Sequence, residues 1–180
     1  MLKHKKPLSN DPSPILENHY FAVCAKSELP IADIACGYGR NGEFFLKNGH
    51  KCVFCDIDPD CLEFINSDSE FLNYKNLYKT LSIDFCKDPW PFEPESLSGI
   101  INVHYFNGAL IDKFVASLCP NGFLYIETIS AKGNNYLDLP KYHFIYDRIV
   151  NKFNIIYYLE NKVKRFDLSK ATLKLLATKL

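Results

Sequence analysis

The sequence predicts an α/β fold, a seven-stranded and mostly parallel sheet with helices on both faces and an antiparallel strand at its C-terminal end. Three observations predict it. Short apolar, β-branched runs alternate with segments of helical period, the order that builds a parallel sheet with right-handed crossovers. A glycine loop follows the first apolar run directly and opens a helical segment. The last two apolar runs, Asn154–Leu159 and Thr172–Thr178, lie too close together for a helical crossover, so the segment Glu160–Lys170 can only join antiparallel strands.

The elements follow in order. Residues 1–14 hold Pro7, Pro12 and Pro14 among Lys, Ser, Asn and Asp and read as an arm preceding a single domain over 15–180. Ile15, Leu16, Tyr20, Val23 and Cys24 fall near a helical period that Pro30 stops. Leu29–Cys36 reads as the first strand, Gly37–Gly42 as the loop, Glu43–Asn48 as a helix and Asn48-Gly49 as its C-cap pair. Lys51–Ile57 is the second strand, and Asp58-Pro59 supplies an N-cap and a first-turn proline for the helix through Leu62, Phe64 and Ile65. Leu77–Phe85 and Gly99–Tyr105 read as the third and fourth strands, separated by the loop Trp90–Pro94. Ala109–Leu118 reads as a helix, Phe123–Ile129 as the fifth strand after the turn Asn121-Gly122, and Tyr142–Phe153 as a helix before the terminal pair.

Composition bounds the function. Lys plus Arg and Asp plus Glu are both 21 in 180 residues, so no bulk field exists to hold nucleic acid or an anionic membrane. The charge is unevenly placed: the first ten residues carry three lysines, residues 151–180 carry seven basic groups against Glu160 and Asp167, and residues 11–150 keep 11 basic against 19 acidic groups. The seven cysteines are an odd count without an apolar leader before them, which points to the cytoplasm, and no apolar run approaches the roughly 18 residues of a membrane span. Cys52-x-x-Cys55 is the only close cysteine pair, and alternation along a strand puts its thiols on opposite faces, so no metal site is predicted.

Gly37-Tyr38-Gly39-Arg40-Asn41-Gly42 satisfies G-x-G-x-x-G, with Asp56 about 20 residues beyond Gly37, a pattern that also fits a dinucleotide site. Asp33 discriminates. It stands at the carboxyl end of the first strand, where sheets of this kind bind ligands, and it would repel a pyrophosphate brought to the loop. S-adenosylmethionine carries a sulfonium and an ammonium instead, and the ammonium pairs favourably with a carboxylate. A second acid after strand two can accept both ribose hydroxyls.

Asp33-Ile-Ala35-Cys36-Gly37-Tyr-Gly39-Arg40, with Asp56-Ile57 closing the second strand, resembles the first two motifs of class I S-adenosylmethionine-dependent methyltransferases. Asp11–Pro14, Gly49-His50, Ile83-Asp84-Phe85, Pro89–Phe92, Pro120–Thr128 and Gly133-Asn134 extend the likeness to a small bacterial subgroup labelled tellurite-resistance-like. The resemblance implies a Rossmann-like methyltransferase fold with S-adenosyl-L-methionine as cofactor. Asp33, Gly37 and Gly39 would frame the methionine moiety together with Ala35, Cys36 and Asn41; Asp56 and Ile57 the ribose; Asp84 and Phe85 the adenine; Asn102 and Val103 the sulfonium. Asp84 also reads as an ordinary turn cap. The subgroup usually follows strand four with Asn-Tyr-Leu-His-Arg, whereas this chain has His104-Tyr105-Phe106-Asn107-Gly108.

Methyl transfer from a sulfonium is an in-line displacement with a neutral leaving group, so alignment and desolvation carry much of it. His104 and Tyr105 are the catalytic candidates if the acceptor arrives protonated. The chain has little beyond the core with which to hold a macromolecule, which favours a small-molecule acceptor. Trp90, Phe92 and Tyr105 could stack a flat one, and the Lys162, Lys164, Arg165 cluster reads as solvated charge rather than an RNA contact. The alternatives carried are a non-catalytic S-adenosylmethionine-binding partner or sensor, an NAD-linked oxidoreductase and an RNA methyltransferase.

Overall fold

The computed structural model describes residues 9–23, 27–131, 148–164 and 167–180. The lysines of the first eight residues, Cys24, Gly133-Asn134, most of the helix expected over Tyr142–Phe153, and Arg165 lie outside the described residues.

Among the described residues the chain runs α1 (Pro14–Asn18), α2 (Tyr20–Val23), β1 (Ile31–Ile34), α3 (Arg40–Lys47), β2 (Cys52–Asp56), α4 (Pro59–Ser67), α5 (Ser69–Leu72), β3 (Tyr78–Ser82), β4 (Leu97–Val103), a 3-10 turn (Gly108–Leu110), α6 (Ile111–Ser117), β5 (Leu118–Ala131), β6 (Phe153–Lys164) and β7 (Asp167–Lys179). The seven strands form one sheet in the order β3-β2-β1-β4-β5-β7-β6. The first five are parallel to one another, with Asp33 opposite both Phe54 and Ile101. β7 is antiparallel to β5 on one side and to β6 on the other. This is the mixed sheet that the sequence predicts.

The strands pack on both faces, which is why β1 and β2 are apolar runs rather than alternating ones. On one face Ala32, Ile34, Val53, Ile100 and Ile126 meet Ile111 and Phe114 of α6. On the other, Ile31, Phe54, Ile101 and Tyr125 meet Leu16 of α1, Phe45 and Leu46 of α3, Ile65 of α4 and Phe71 of α5. Cys52 belongs to the second face and Cys55 to the first, both buried, so the two thiols diverge as strand alternation requires.

The helix ends follow their local chemistry. Asp58 caps α4 by accepting from the Asp60 N–H at 3.0 Å, with Pro59 at the first position. After α3, Asn48 is the C-cap residue and Gly49 takes the left-handed conformation at φ +85°. Several elements differ from expectation: α5 has no counterpart in the sequence reading, and β6 and β7 extend into the segment expected to connect them. The first helix is split at His19. β4 stops at Val103, leaving His104 and Tyr105 in the loop beyond it. β5 starts early, but its register with β4 jumps from Leu97–Leu118 to Gly99–Phe123 across Pro120 and a left-handed Asn121 (φ +63°), the irregularity that a proline forces on a strand. No helix among the described residues is long and apolar enough to cross a membrane.

Candidate active site

Beyond the carboxyl ends of β1, β2 and β4 lies a cleft of about 380 Å³. Its lining brings together Asp33, Ala35, Cys36, Gly37, Asn41, Asp56, Ile57, Asp84, Phe85, Val103, His104 and Tyr105, residues that the sequence singles out from four separate segments. Gly39 and Asn102 are not in the wall. Gly39, left-handed at φ +77°, backs against Ile65, Phe71 and Phe54, and Asn102 is buried with its Nδ2 donating to the Ile34 carbonyl at 3.3 Å.

The loop after β1 turns through left-handed residues at Ala35 (φ +53°), Gly37 (φ +54°) and Gly39. At Ala35 the Cβ costs about 1 kcal/mol of backbone strain that a glycine would avoid; its small side chain is the least that this position tolerates. Gly42, on the first turn of α3, is required for another reason: a Cβ there would stand 2.3 Å from the Phe54 ring. Close approach of α3 to β2 is what sets the loop at the strand ends.

Two acids hold that loop. The Asp33 carboxylate, 2% exposed, accepts from the Gly42 N–H at 3.0 Å. Burial pushes its pKa up to about 7, with repulsion from Asp56 adding and the Gly42 N–H and the Arg40 charge opposing. Asp56 accepts from Gly37 N–H through Oδ2 at 2.7 Å and from Asp58 N–H through Oδ1 at 2.9 Å. Each carboxylate oxygen retains a further acceptor position, so these bonds leave capacity for a ligand. Asp84 does line the cleft, and it also caps its own turn. Its carboxylate accepts from Cys86 N–H at 2.9 Å and pairs with Lys87 at 3.1 Å, and both interactions hold its pKa below the usual range. Phe85 faces the cleft and packs on Trp90 and Tyr105, with ring centroids 5.7 and 6.3 Å away.

His104 is left-handed at φ +60° and well exposed, with Nε2 3.9 Å from Glu127 Oε1. Burial, with help from the Cys86 thiol, pushes the Tyr105 hydroxyl up to about 12; at neutral pH it is a hydrogen-bond donor rather than a base. Burial and the two nearby acids push the Cys36 thiol well up, which removes it as a thiolate nucleophile. Among the described residues no group of three His, Cys, Asp or Glu is arranged to hold a metal ion.

Tyr38, Arg40, Ile83 and Cys86 complete the wall, and sequence reasoning did not select them. Arg40 stood inside the glycine motif, and its charge was the available signal. A buried polar cluster beside the cleft was also missed. Ser13 Oγ lies 2.6 Å from Tyr125 Oη and donates to Glu127 Oε2 at 3.1 Å, Tyr125 Oη donates to the same oxygen at 2.6 Å, and Lys174 pairs with Glu127 Oε1 at 3.0 Å. The Ser13 N–H donates to Asn41 Oδ1 at 2.9 Å, so residue 13 of the N-terminal segment is pinned to both α3 and β5.

No protein-family model matches the sequence, and no curated protein matches it. Solved structures do. The MccD protein superposes with a TM-score of 0.74 at 12% identity over 96% of this chain and 100% of its own. Geranyl diphosphate C-methyltransferase from Streptomyces coelicolor A3(2), solved with Mg2+, geranyl diphosphate and S-adenosyl-L-homocysteine, gives 0.74 at 10% identity over 93% of this chain and 78% of its own. The fold is the Rossmann-like fold of methyltransferases. The [4+2]-cyclase SpnF shares it, with a TM-score of 0.72 at 9% identity over 92% of this chain and 79% of its own, so the methyltransferase fold carries more than one chemistry and function must be argued from the cleft.

Proposed function

We propose that this chain is an S-adenosylmethionine-dependent methyltransferase of class I, a single cytoplasmic domain acting on a small molecule. The observation that carries the reading is the pair Asp33 and Asp56, buried at the ends of adjacent strands on either side of a left-handed glycine loop and opening into one cleft. A dinucleotide would bring its pyrophosphate against the Asp33 carboxylate. S-adenosylmethionine fits this donor set: Asp33 would take the ammonium, Asp56 the ribose hydroxyls, and Ile57, Ile83 and Phe85 the adenine ring, with Val103 beside the sulfonium. When bound, it supplies an electrophilic methyl group on a sulfonium whose departure leaves a neutral thioether.

The chain's own residues then have three tasks. The loop and its two acids orient, the apolar wall of Ile57, Ile83, Phe85 and Val103 excludes water, and His104, at the rim, takes a proton from an acceptor that arrives protonated. Tyr105 serves as a donor. Neighbours of the same fold solved with a small substrate, geranyl diphosphate, in place support an acceptor of that size class.

Calorimetry tests the cofactor reading. S-adenosylmethionine and S-adenosylhomocysteine should bind in the micromolar range and NAD should not; the reverse order would revive an oxidoreductase. Consumption of bound cofactor in the presence of a metabolite library then distinguishes an enzyme from a binding protein.

A further inference from the structure

Arg40 and Asn41 open α3 and line the cleft, and each also holds a backbone group of the N-terminal segment. Arg40 Nη1 donates to the Asp11 carbonyl at 2.9 Å, and Asn41 Oδ1 accepts from the Ser13 N–H at 2.9 Å. Ser13 is where that segment is fastened. It is 1% exposed, its carbonyl accepts from the Leu16 and Glu17 N–H groups of α1, and its hydroxyl meets Tyr125 and Glu127 of β5. Residues 9–11 are exposed, and among the described residues the one hydrogen bond tying residues 9–12 to the rest of the fold is that from Arg40. The stretch that reads as a free arm in the sequence is therefore a strap, buckled at Ser13 and lightly tied at Asp11.

Both α3 side chains have donors left over. A guanidinium carries five N–H groups, and Arg40 gives one of them to Asp11. Among the described residues Asn41 Nδ2 donates to nothing, yet Asn41 is only 5% exposed and no buried side-chain nitrogen or oxygen is left without a partner. Nδ2 thus reaches open space, and the open space at Asn41 is the cleft. The Arg40 charge is felt at Asp33, which takes the ammonium of the cofactor in the reading above. An amino acid group held there brings its carboxylate to the same end of the cleft, where Arg40 is the only permanent cation among the described residues of the wall.

We propose that residues 9–13 are a strap that docks cooperatively with the cofactor: Arg40 and Asn41 each bind the strap backbone with one atom and the methionine carboxylate with another, so an occupied site holds the strap down and a docked strap tightens the site. The inference rests on the cofactor reading above. Ordering a long side chain costs rotamer freedom, and whichever partner arrives second finds that cost already met. The coupling is reciprocal. Whatever factor the cofactor adds to strap docking, the strap adds to cofactor affinity.

The experiment uses the whole chain and follows hydrogen exchange at the Ser13 N–H by NMR, free and saturated with S-adenosylhomocysteine or with 5′-methylthioadenosine. The second ligand keeps the adenosine and the thioether sulfur and lacks the amino and carboxylate groups. S-adenosylhomocysteine should slow exchange at Ser13 about fivefold or more, the lower end of ordinary coupling factors, and methylthioadenosine should leave it near the free rate. Pro12→Gly loosens the strap without removing a hydrogen bond, since proline has no N–H and residue 12 is not in the cleft wall. It should speed Ser13 exchange in the free chain and weaken S-adenosylhomocysteine by no more than the protection that ligand confers, with methylthioadenosine affinity unchanged. Ser13→Ala, which releases the strap from Tyr125 and Glu127, should act in the same direction. Ser13 exchange that S-adenosylhomocysteine leaves unchanged overturns the proposal, as does equal protection by methylthioadenosine. So does a variant with faster Ser13 exchange and wild-type S-adenosylhomocysteine affinity, or failure of both variants to speed that exchange, which would place the fastening elsewhere. A wild-type chain that does not bind S-adenosylhomocysteine overturns the cofactor reading itself and takes the strap with it, an outcome that calorimetry tells apart from the others.

Discussion

The His104 N–H donates to the Glu127 carbonyl oxygen at 2.7 Å while the two side chains approach to 3.9 Å. One residue of β5 therefore fixes both the backbone and the imidazole of the residue that leaves β4. A left-handed histidine is an uncommon conformation that surrounding structure must hold, and here its N–H is bonded to the main-chain carbonyl of Glu127, a residue whose carboxylate is itself held by Tyr125, Ser13 and Lys174. Burial acts to raise the Glu127 pKa, and the Tyr125 hydroxyl and Lys174 overcome it, so the group stays ionised.

Removing the Tyr125 hydroxyl tests that cluster. Tyr125→Phe deletes the short hydrogen bond to Glu127 and the oxygen that Ser13 Oγ approaches at 2.6 Å, all in a buried site, and it should cost about 1–3 kcal/mol in urea unfolding. Ser13→Ala added to that variant should cost much less than Ser13→Ala alone, because the two hydroxyls share one network. Additive losses would mean that the residues act independently.

The raised pKa of Asp33 makes both stability and binding depend on pH. Below about pH 4 the carboxyl is protonated in both folded and unfolded chains; as pH rises toward 7 the unfolded chain ionises first, so this group progressively destabilises the fold, by about 4 kcal/mol at most above pH 7. Asp33→Asn should flatten that slope in chemical denaturation measured from pH 5 to 8. Binding should run the opposite way, since a cationic ligand selects the ionised carboxylate. S-adenosylmethionine affinity should rise roughly tenfold between pH 6 and 8, with proton release visible in calorimetry across buffers of different ionisation enthalpy. A flat affinity profile would sink the assignment of Asp33 to the ammonium.

Asp56 offers a simpler outcome. Asp56→Ala removes the acceptor for the Gly37 and Asp58 N–H groups as well as the expected ribose partner, and S-adenosylhomocysteine affinity should drop by tenfold or more. Trp90, the sole tryptophan, packs at a tilt against Phe85 of the cleft wall, so its fluorescence provides the readout. An unchanged dissociation constant would contradict the site.

Gly42→Ala should be among the most damaging methyl additions in the chain. The new carbon would meet Phe54 Cε1 at 2.3 Å and Cζ at 2.8 Å, with Asp33 Oδ2 at 3.1 Å. The helix must move off β2 or the ring must leave its rotamer, at about 2–3 kcal/mol. Gly37→Ala meets no atom within 4 Å and is strained only by its φ of +54°, so it should lower the melting temperature less. Equal losses would show that backbone strain, not α3–β2 packing, governs the loop.

The parts legible in the sequence are those encoded by short spacing. Asp33 and Asp56 each end an apolar strand at a fixed distance from the glycines, and Asp58-Pro59 is a cap whose chemistry is local; all three fall where their neighbours in sequence require. What escaped depends on contacts made across the chain. Ser13 and Tyr125 are 112 residues apart, and neither has a local pattern that marks it as polar core. Gly39 and Asn102 sit in the expected motifs but turn away from the cleft, a choice made by the packing of Ile65 and Phe71 and by the Ile34 carbonyl. Arg40 sits in the glycine motif, and no local pattern marks that its side chain reaches the cleft wall.

β7 lies between β5 and β6, and among the described residues β6 pairs with no strand but β7. Synthesis on the ribosome delivers these strands in the order β5, β6, β7. Until residues 167–179 have emerged, β5 and β6 both expose unpaired backbone beside apolar side chains such as Leu124, Ile126 and Phe153, a state open to wrong partners. A stall or cleavage just before Asp167 would leave every cleft residue translated and the sheet still broken in two, so a cell that makes this protein slowly must shield its unfinished edges.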